Sequence, residues 1–359
     1  MFHHRVHRLL SLFLAGSLSL SVALPGARAA DPSQLCFRGI NISGAEYGNK
    51  NGVHGTNYLY PTETTVKYFR SKGMDSVRLP FIWERLQPQL GGRLNSRELK
   101  LLTDSVELIR KHEMAVILDP HNFGYYDGKQ IGSAEVPVRA FADFWTRLAA
   151  EFANRDGLVF GLMNEPYDIG ATDWLAAANA AIRGIRAVKA DNLILVPGTI
   201  WSGAHSWEVE REGGSNGAVM LGVEDPRDNY AYELHQYLDN DYSGTKDGCV
   251  NAAGANQAIV QMTDWLRRNG KRGFVGEFGG GQGAACLAGL ATMVGTIERN
   301  NDVWLGWTYW AAGDWWPEDE TNNVQPTRRG ERKQLQAIMG GRQEPGLNAG
   351  HCAMVPSSG

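Results

Sequence analysis

Two glutamates in this chain stand where chemistry needs them. Residues 158–163 form an apolar run that ends in Asn164-Glu165-Pro166. Residues 273–278 carry Glu277 in the same position, at the end of a second apolar run. Runs of this kind suit strands buried on both faces. A carboxyl at the tip of such a strand is poorly solvated, and its pKa is expected to rise. Pro166 is expected to hold the residue before it extended. Two carboxyls that flank a bond are the equipment of glycoside hydrolysis, in which one protonates the leaving oxygen and the other attacks or activates water. The two must then differ in environment. Arg78 is a permanent cation that keeps Glu277 ionised as nucleophile. Glu165, beside neutral Asn164, is left protonated as the acid/base.

The elements that position them alternate in texture. Short apolar, β-branched runs fall at 36–42, 76–81, 115–121, 158–165, 193–199, 230–237, 273–278 and 304–310. Amphipathic helical patterns lie between them at 62–72, 96–112, 138–154, 172–189, 256–269 and 285–300, and one more follows at 328–339. The fifth connection, 201–229, is glycine-rich and only partly helical. Eight β/α alternations in one domain, residues 30–340, predict a parallel sheet closed as a (β/α)8 TIM barrel. An open dinucleotide-binding sheet would want G-x-G-x-x-G after its first strand, and Gly39-Ile40-Asn41-Ile42-Ser43-Gly44 lacks that spacing.

Composition narrows the partners. The chain of 359 residues carries 35 basic and 39 acidic side chains. It has no basic block, which argues against nucleic acid and anionic membranes. Residues 1–29 read as a secretory signal, with Arg5 and Arg8, an apolar stretch and a small Ala27-Arg28-Ala29 cleavage site. The expected product is a secreted monomer without a membrane anchor. Residues 341–359 form a Gly/Pro/Ser-rich tail. Eleven tryptophans, many in loops, suit a ligand with flat apolar faces and polar edges, as sugar rings have.

In such a barrel the strand carboxyl ends share one bowl. Asn41, Arg78, His121, Asn164 with Glu165, Trp201, His235 with Tyr237, Glu277 and Trp310 close the eight runs. Metal-dependent barrels would favour His-x-His on the first strand, and Asn41-Ile42-Ser43 stands there. No metal and no cofactor is expected. Cys249 and Cys286 follow strands six and seven on the catalytic rim and are expected to pair. Cys36 and Cys352 fall at the opposite face and form the second expected pair.

The residues Val77-Arg78-Leu79-Pro80, Asp119-Pro120-His121-Asn122, Asn164-Glu165-Pro166, His235-Gln236-Tyr237, Gly276-Glu277-Phe278-Gly279 and Thr308-Tyr309-Trp310 occur here in this order. With them the chain resembles glycoside hydrolase family 5, the retaining cellulase-type barrels, over nearly all of its length after the leader. The loops 121–128 and 313–316 resemble those of the family's endo-β-1,4-glucanases. The resemblance implies that Asn164 bonds the sugar 2-hydroxyl and that Tyr237 donates to Glu277. It implies that His121 and His235 hold the reacting sugar, with His235 also bonding Glu165. Trp310 becomes the platform beneath that sugar, followed by a cis peptide. Tyr126, Trp201 and Trp315 become flanking subsites, although Tyr125-Tyr126 departs from the usual polar–aromatic pair. The implied substrate is a β-glucan polysaccharide, with the two carboxyls about 5–5.5 Å apart. Mannan, xyloglucan or mixed-linkage glucan are alternative substrates, and a non-catalytic carbohydrate-binding barrel is the alternative outside enzymes.

Overall fold

The computed structural model describes residue 1 and residues 35–340. Residues 2–29 of the proposed leader, the tail and Cys352 lie outside the described residues. Eight strands carry the fold: β1 Phe37–Ile42, β2 Ser76–Phe81, β3 Ala115–Pro120, β4 Leu158–Gly161, β5 Ile194–Pro197, β6 Tyr230–His235, β7 Gly273–Glu277 and β8 Trp304–Ala312. They pair in parallel in that order, and β8 returns to β1 to close the barrel. All eight expected runs are strands. The chain is therefore a (β/α)8 barrel.

The connections are α1 Glu63–Ser71, α2 Ser96–Lys111, α3 Val138–Phe152, α4 Ala171–Ala187, α5 Asn216–Val219, α6 Ala252–Arg268 and α7 Ala284–Arg299, with α8 Lys333–Met339 closing the fold. The starts of α1 and α2 are set by side chains that satisfy free backbone donors. Thr62 accepts from Thr65 N, and Asn95 accepts from Arg97 N and Glu98 N. The fifth connection keeps only the four residues of α5 as α-helix. A two-stranded hairpin, Tyr125–Tyr126 with Lys129–Gln130, and a one-turn helix, Trp83–Leu86, decorate the rim. Among the described residues no helix is long and apolar enough to cross a membrane.

The core has two layers. A large cluster lies between sheet and helices, where Phe69, Phe144, Trp145, Trp174 and Trp265 pack. A smaller one, with Phe37, Ile117, Val159, Leu195, Ala231 and Phe274, fills the lower barrel. Side chains two apart on a strand share a face. From Ile117 that period leads to Asp119, and from Ala231 to Glu233 and His235. The barrel interior therefore changes from apolar to charged within one or two steps along a strand. The rim is tied by a disulfide between Cys249 and Cys286. The expected pairing of Cys36 with Cys352 has one member outside the described residues.

Candidate active site

Arg78 is the centre of the bowl. It is fully buried, and its Nη1 lies 2.8 Å from Glu277 Oε1 and 3.0 Å from Asp119 Oδ2. Nη1 also donates to Asn41 Oδ1, and Nη2 donates to Asn164 Oδ1 at 2.8 Å. Its Nε sits 2.8 Å from Glu233 Oε1, at an angle that makes this an ion contact rather than a hydrogen bond. Register explains the gathering, because Asn41 pairs with Arg78 and His235 pairs with Glu277 across adjacent strands.

Glu277 is held on both oxygens. Arg78 takes Oε1, and the Tyr237 hydroxyl donates to Oε2 at 2.7 Å. Burial, with the Glu277 charge beside it, pushes the Tyr237 phenol well up, so it stays a donor. Burial also pushes the Glu277 carboxyl up, against the pull of His235 and Arg78. The expected pull of Arg78 toward the ionised form is present, and burial works against it. For a carboxyl this deeply buried, desolvation outweighs the cations.

Glu165 meets His235, whose Nδ1 lies 2.6 Å from Oε1. Nδ1 is also 3.5 Å from Glu277 Oε2, so the imidazole sits between the two carboxyls. Burial pulls the His235 pKa down, but the Glu277 charge and the contacts with Glu165 and Glu233 carry it up to about 10. The unfolded value is about 6.5. The folded value is the higher one, so this histidine's contribution to stability is full below about pH 6.5. It is lost as pH rises through about 10.

The path of Glu165 differs from the expected one. Strand β4 ends at Gly161, and Glu165 has φ +40°. Neighbouring residues of an extended strand point to opposite faces. Bringing both Asn164 and Glu165 into one bowl requires the backbone to leave the strand path. The break is pinned by Asn164 N donating to Pro120 O and by Trp201 N donating to Pro166 O.

His121 bonds Asp119 Oδ2 at 2.8 Å and stacks on Trp310 at 14°. The peptide Trp310–Ala311 is cis. Trp316, edge-on to Trp310, continues the aromatic wall to Tyr47. One flanking candidate is corrected. Tyr126 is buried edge-on against Trp83, with its hydroxyl donating to Gln87 O, and anchors the loop instead of facing the bowl. Trp315, the other rim candidate, is exposed beside this wall, and its neighbour Trp316 is the one that touches Trp310. In an irregular loop the outward residue cannot be told from the inward one by spacing. Trp201 is 49% exposed and lies parallel to Tyr167 at 5.4 Å. It lines a cleft of about 580 Å³ with Glu165, His235, Arg211, Asp241 and Tyr242.

Asp119 and Glu233 were missed as site residues. Their signal is present as Asp119-x-His121 and Glu233-x-His235, an acid two residues before each strand-end histidine. Arg78 and His121 hold the Asp119 carboxyl down although burial raises it. Glu165, His235 and Glu277 also offer ligand atoms within 4.8 Å of one another. Arg78 already supplies a cation to this cluster, which opposes a metal ion, so the three are read as an acid–base group.

A closed barrel with paired carboxylates over a fixed cation defines a barrel glycoside hydrolase. The family model Cellulase (glycosyl hydrolase family 5) matches residues 36–313. Endo-beta-1,4-glucanase B of Emericella nidulans is 37% identical over 318 residues, 86% of this chain and 94% of that protein. An endo-beta-1,4-glucanase of Xanthomonas axonopodis pv. citri is 46% identical, with TM-score 0.83 over 85% of this chain and 97% of its own. XacCel5A, solved in complex with cellopentaose, is 46% identical with TM-score 0.83, over 85% of this chain and 98% of its own. The chain belongs to glycoside hydrolase family 5.

Proposed function

We propose that this protein is a secreted, retaining endo-β-1,4-glucanase. The observation that carries the mechanism is the approach of a Glu165 oxygen and a Glu277 oxygen to within 4.8 Å. Retaining enzymes set their carboxyls about 5–5.5 Å apart, and inverting ones about 6.5–9.5 Å apart. Glu277, oriented by Tyr237 and Arg78, attacks the anomeric carbon while Glu165 protonates the leaving oxygen. Glu165 then takes a proton from the water that releases the glycosyl-enzyme. Asn164 Nδ2 is buried without a protein partner among the described residues, which suits a donor for the sugar 2-hydroxyl. Trp310, with His121 stacked on it, suits the platform. The glucanase names of the relatives and the cellopentaose complex support β-1,4-glucan over mannan or xyloglucan. The leader motif supports export.

Proton NMR of the first products from cellopentaose tests this reading. The β-anomer is expected before mutarotation, and a first product of α configuration would sink retention. Side-by-side turnover on carboxymethylcellulose, mannan and xyloglucan should favour the first, and equal or higher rates on mannan would reassign the substrate.

The acid marks the leaving-group side, so the cleft beside Glu165 takes the departing chain. Trp201→Ala is expected to lower kcat/KM on cellohexaose by roughly tenfold, the scale of one lost stacking contact. An aryl cellobioside leaves most of that cleft unfilled and should be hydrolysed almost as before. Equal losses on both substrates would remove Trp201 from the leaving-group path.

A further inference from the structure

Glu233 is a buried carboxylate that the steps above do not use. It lies on β6, 1% exposed, and neither oxygen makes a hydrogen bond among the described residues. Oε1 stands 2.8 Å from Arg78 Nε and 3.6 Å from His235 Nε2. Its place is made by a missing side chain, since a Cβ on Gly276 would come within 2.2 Å of Oε1. A buried charge is tolerated only beside opposite charge. Arg78 already faces Asp119 and Glu277, so the remaining positive partner is the imidazole.

We propose that Glu233 is a positioning residue that holds the proton shared by His235 and Glu165, making the histidine the proton reserve of the acid/base. The inference rests on Glu165 being that acid/base. With Glu233 opposite Nε2, the ring keeps its Nε2 proton, and the transferable proton lies between Nδ1 and Glu165 Oε1. In the first step the glycosidic C–O bond breaks, Glu277 bonds to the anomeric carbon, and the pair passes this proton to the leaving oxygen. A neutral imidazole and a carboxylate remain. In the second step water delivers its hydroxyl to the anomeric carbon and its proton to the pair, and the bond to Glu277 breaks. The pair ends as it began.

The groups facing His235 decide how long the proton stays. Glu165, Glu277 and Glu233 favour it, Asp119 favours it from the next layer, and Arg78 opposes it. His205, Arg211 and Asp241 share the open cleft that His235 lines. Burial alone would strip the ring of its charge. Glu233 meets Nε2, the ring nitrogen opposite the one that faces Glu165 and Glu277, so its effect persists through the reaction.

Glu233→Gln keeps the shape and removes the charge. The alkaline limb of kcat/KM is expected to move down by about one pH unit or more, as for loss of an opposite charge within ~4–6 Å. The acidic limb should move less. A purely structural role would lower the melting temperature and leave the alkaline limb in place, and that outcome overturns the proposal. If the variant does not fold, nitrogen-15 NMR of the unmodified enzyme decides. The His235 ring should stay doubly protonated above pH 8 with Nε2 protonated throughout, and titration near pH 6.5 overturns the proposal. Absence of β-glucan hydrolysis by the unmodified enzyme would instead defeat the functional reading, because the ring titration needs no substrate.

Discussion

Glu277→Gln is expected to lose turnover on carboxymethylcellulose by on the order of 10⁴-fold or more, the scale of removing a covalent nucleophile. The amide keeps the volume and can still meet the Tyr237 hydroxyl, which donates to Oε2 in the present protein. It has no anionic oxygen to form the glycosyl-enzyme, and the first step then lacks its electron pair. Cellopentaose binding should stay within about tenfold by calorimetry, since the platform and the hydrogen-bonding histidines are untouched. Substantial hydrolysis by this variant would show that another group attacks. Glu277→Ala with azide is a further check on the same chemistry. A small anion in the vacated space should give a glycosyl azide of α configuration.

Arg78→Met is the substitution expected to harm the fold most. The guanidinium at 0% exposure contacts three carboxylates, on Asp119, Glu233 and Glu277. Removing it leaves those charges buried and unmatched, an effect of about 3–5 kcal/mol. The melting temperature should fall by on the order of 10 °C for a domain of this size. The sign with pH follows from the carboxylates. In the unmodified protein Arg78 pulls Asp119 below its usual value, so that stability is present at neutral pH and is lost on acidification. Without the cation the buried acids rise above their unfolded values and stabilise the fold only where they are protonated. The deficit should therefore shrink as pH falls from 7 to 5 in thermal scans. A constant deficit would mean that lost packing, not charge, sets the effect. Arg78→Lys should be intermediate, because one ammonium cannot span partners that surround a planar fork.

These two residues show how far local pattern reaches. Glu277 and Arg78 could be placed from a strand period of two and a rule about strand ends, both of which are properties of short segments. Tyr126 could not. It sits in a short rim hairpin, where the inward face is chosen by contacts from other elements, such as Trp83 against Tyr126. Glu165 lies between these cases. Its position was legible, but its left-handed backbone was not. The proline rule describes a strand, and the need to turn two neighbouring side chains into one bowl overrides it.

The sequence by itself determined the eight β/α units, the residues that close them and the pair of carboxyls, because alternation and periodicity are written locally. The tertiary structure decided which charges meet. Asp119 and Arg78 come from neighbouring β3 and β2 and Glu233 and His235 from β6, and barrel closure brings β6 across to within ion-contact distance of Arg78. That encounter sets the proton affinities of Asp119, His235 and Glu277, since burial and neighbouring charge act through space and not along the chain.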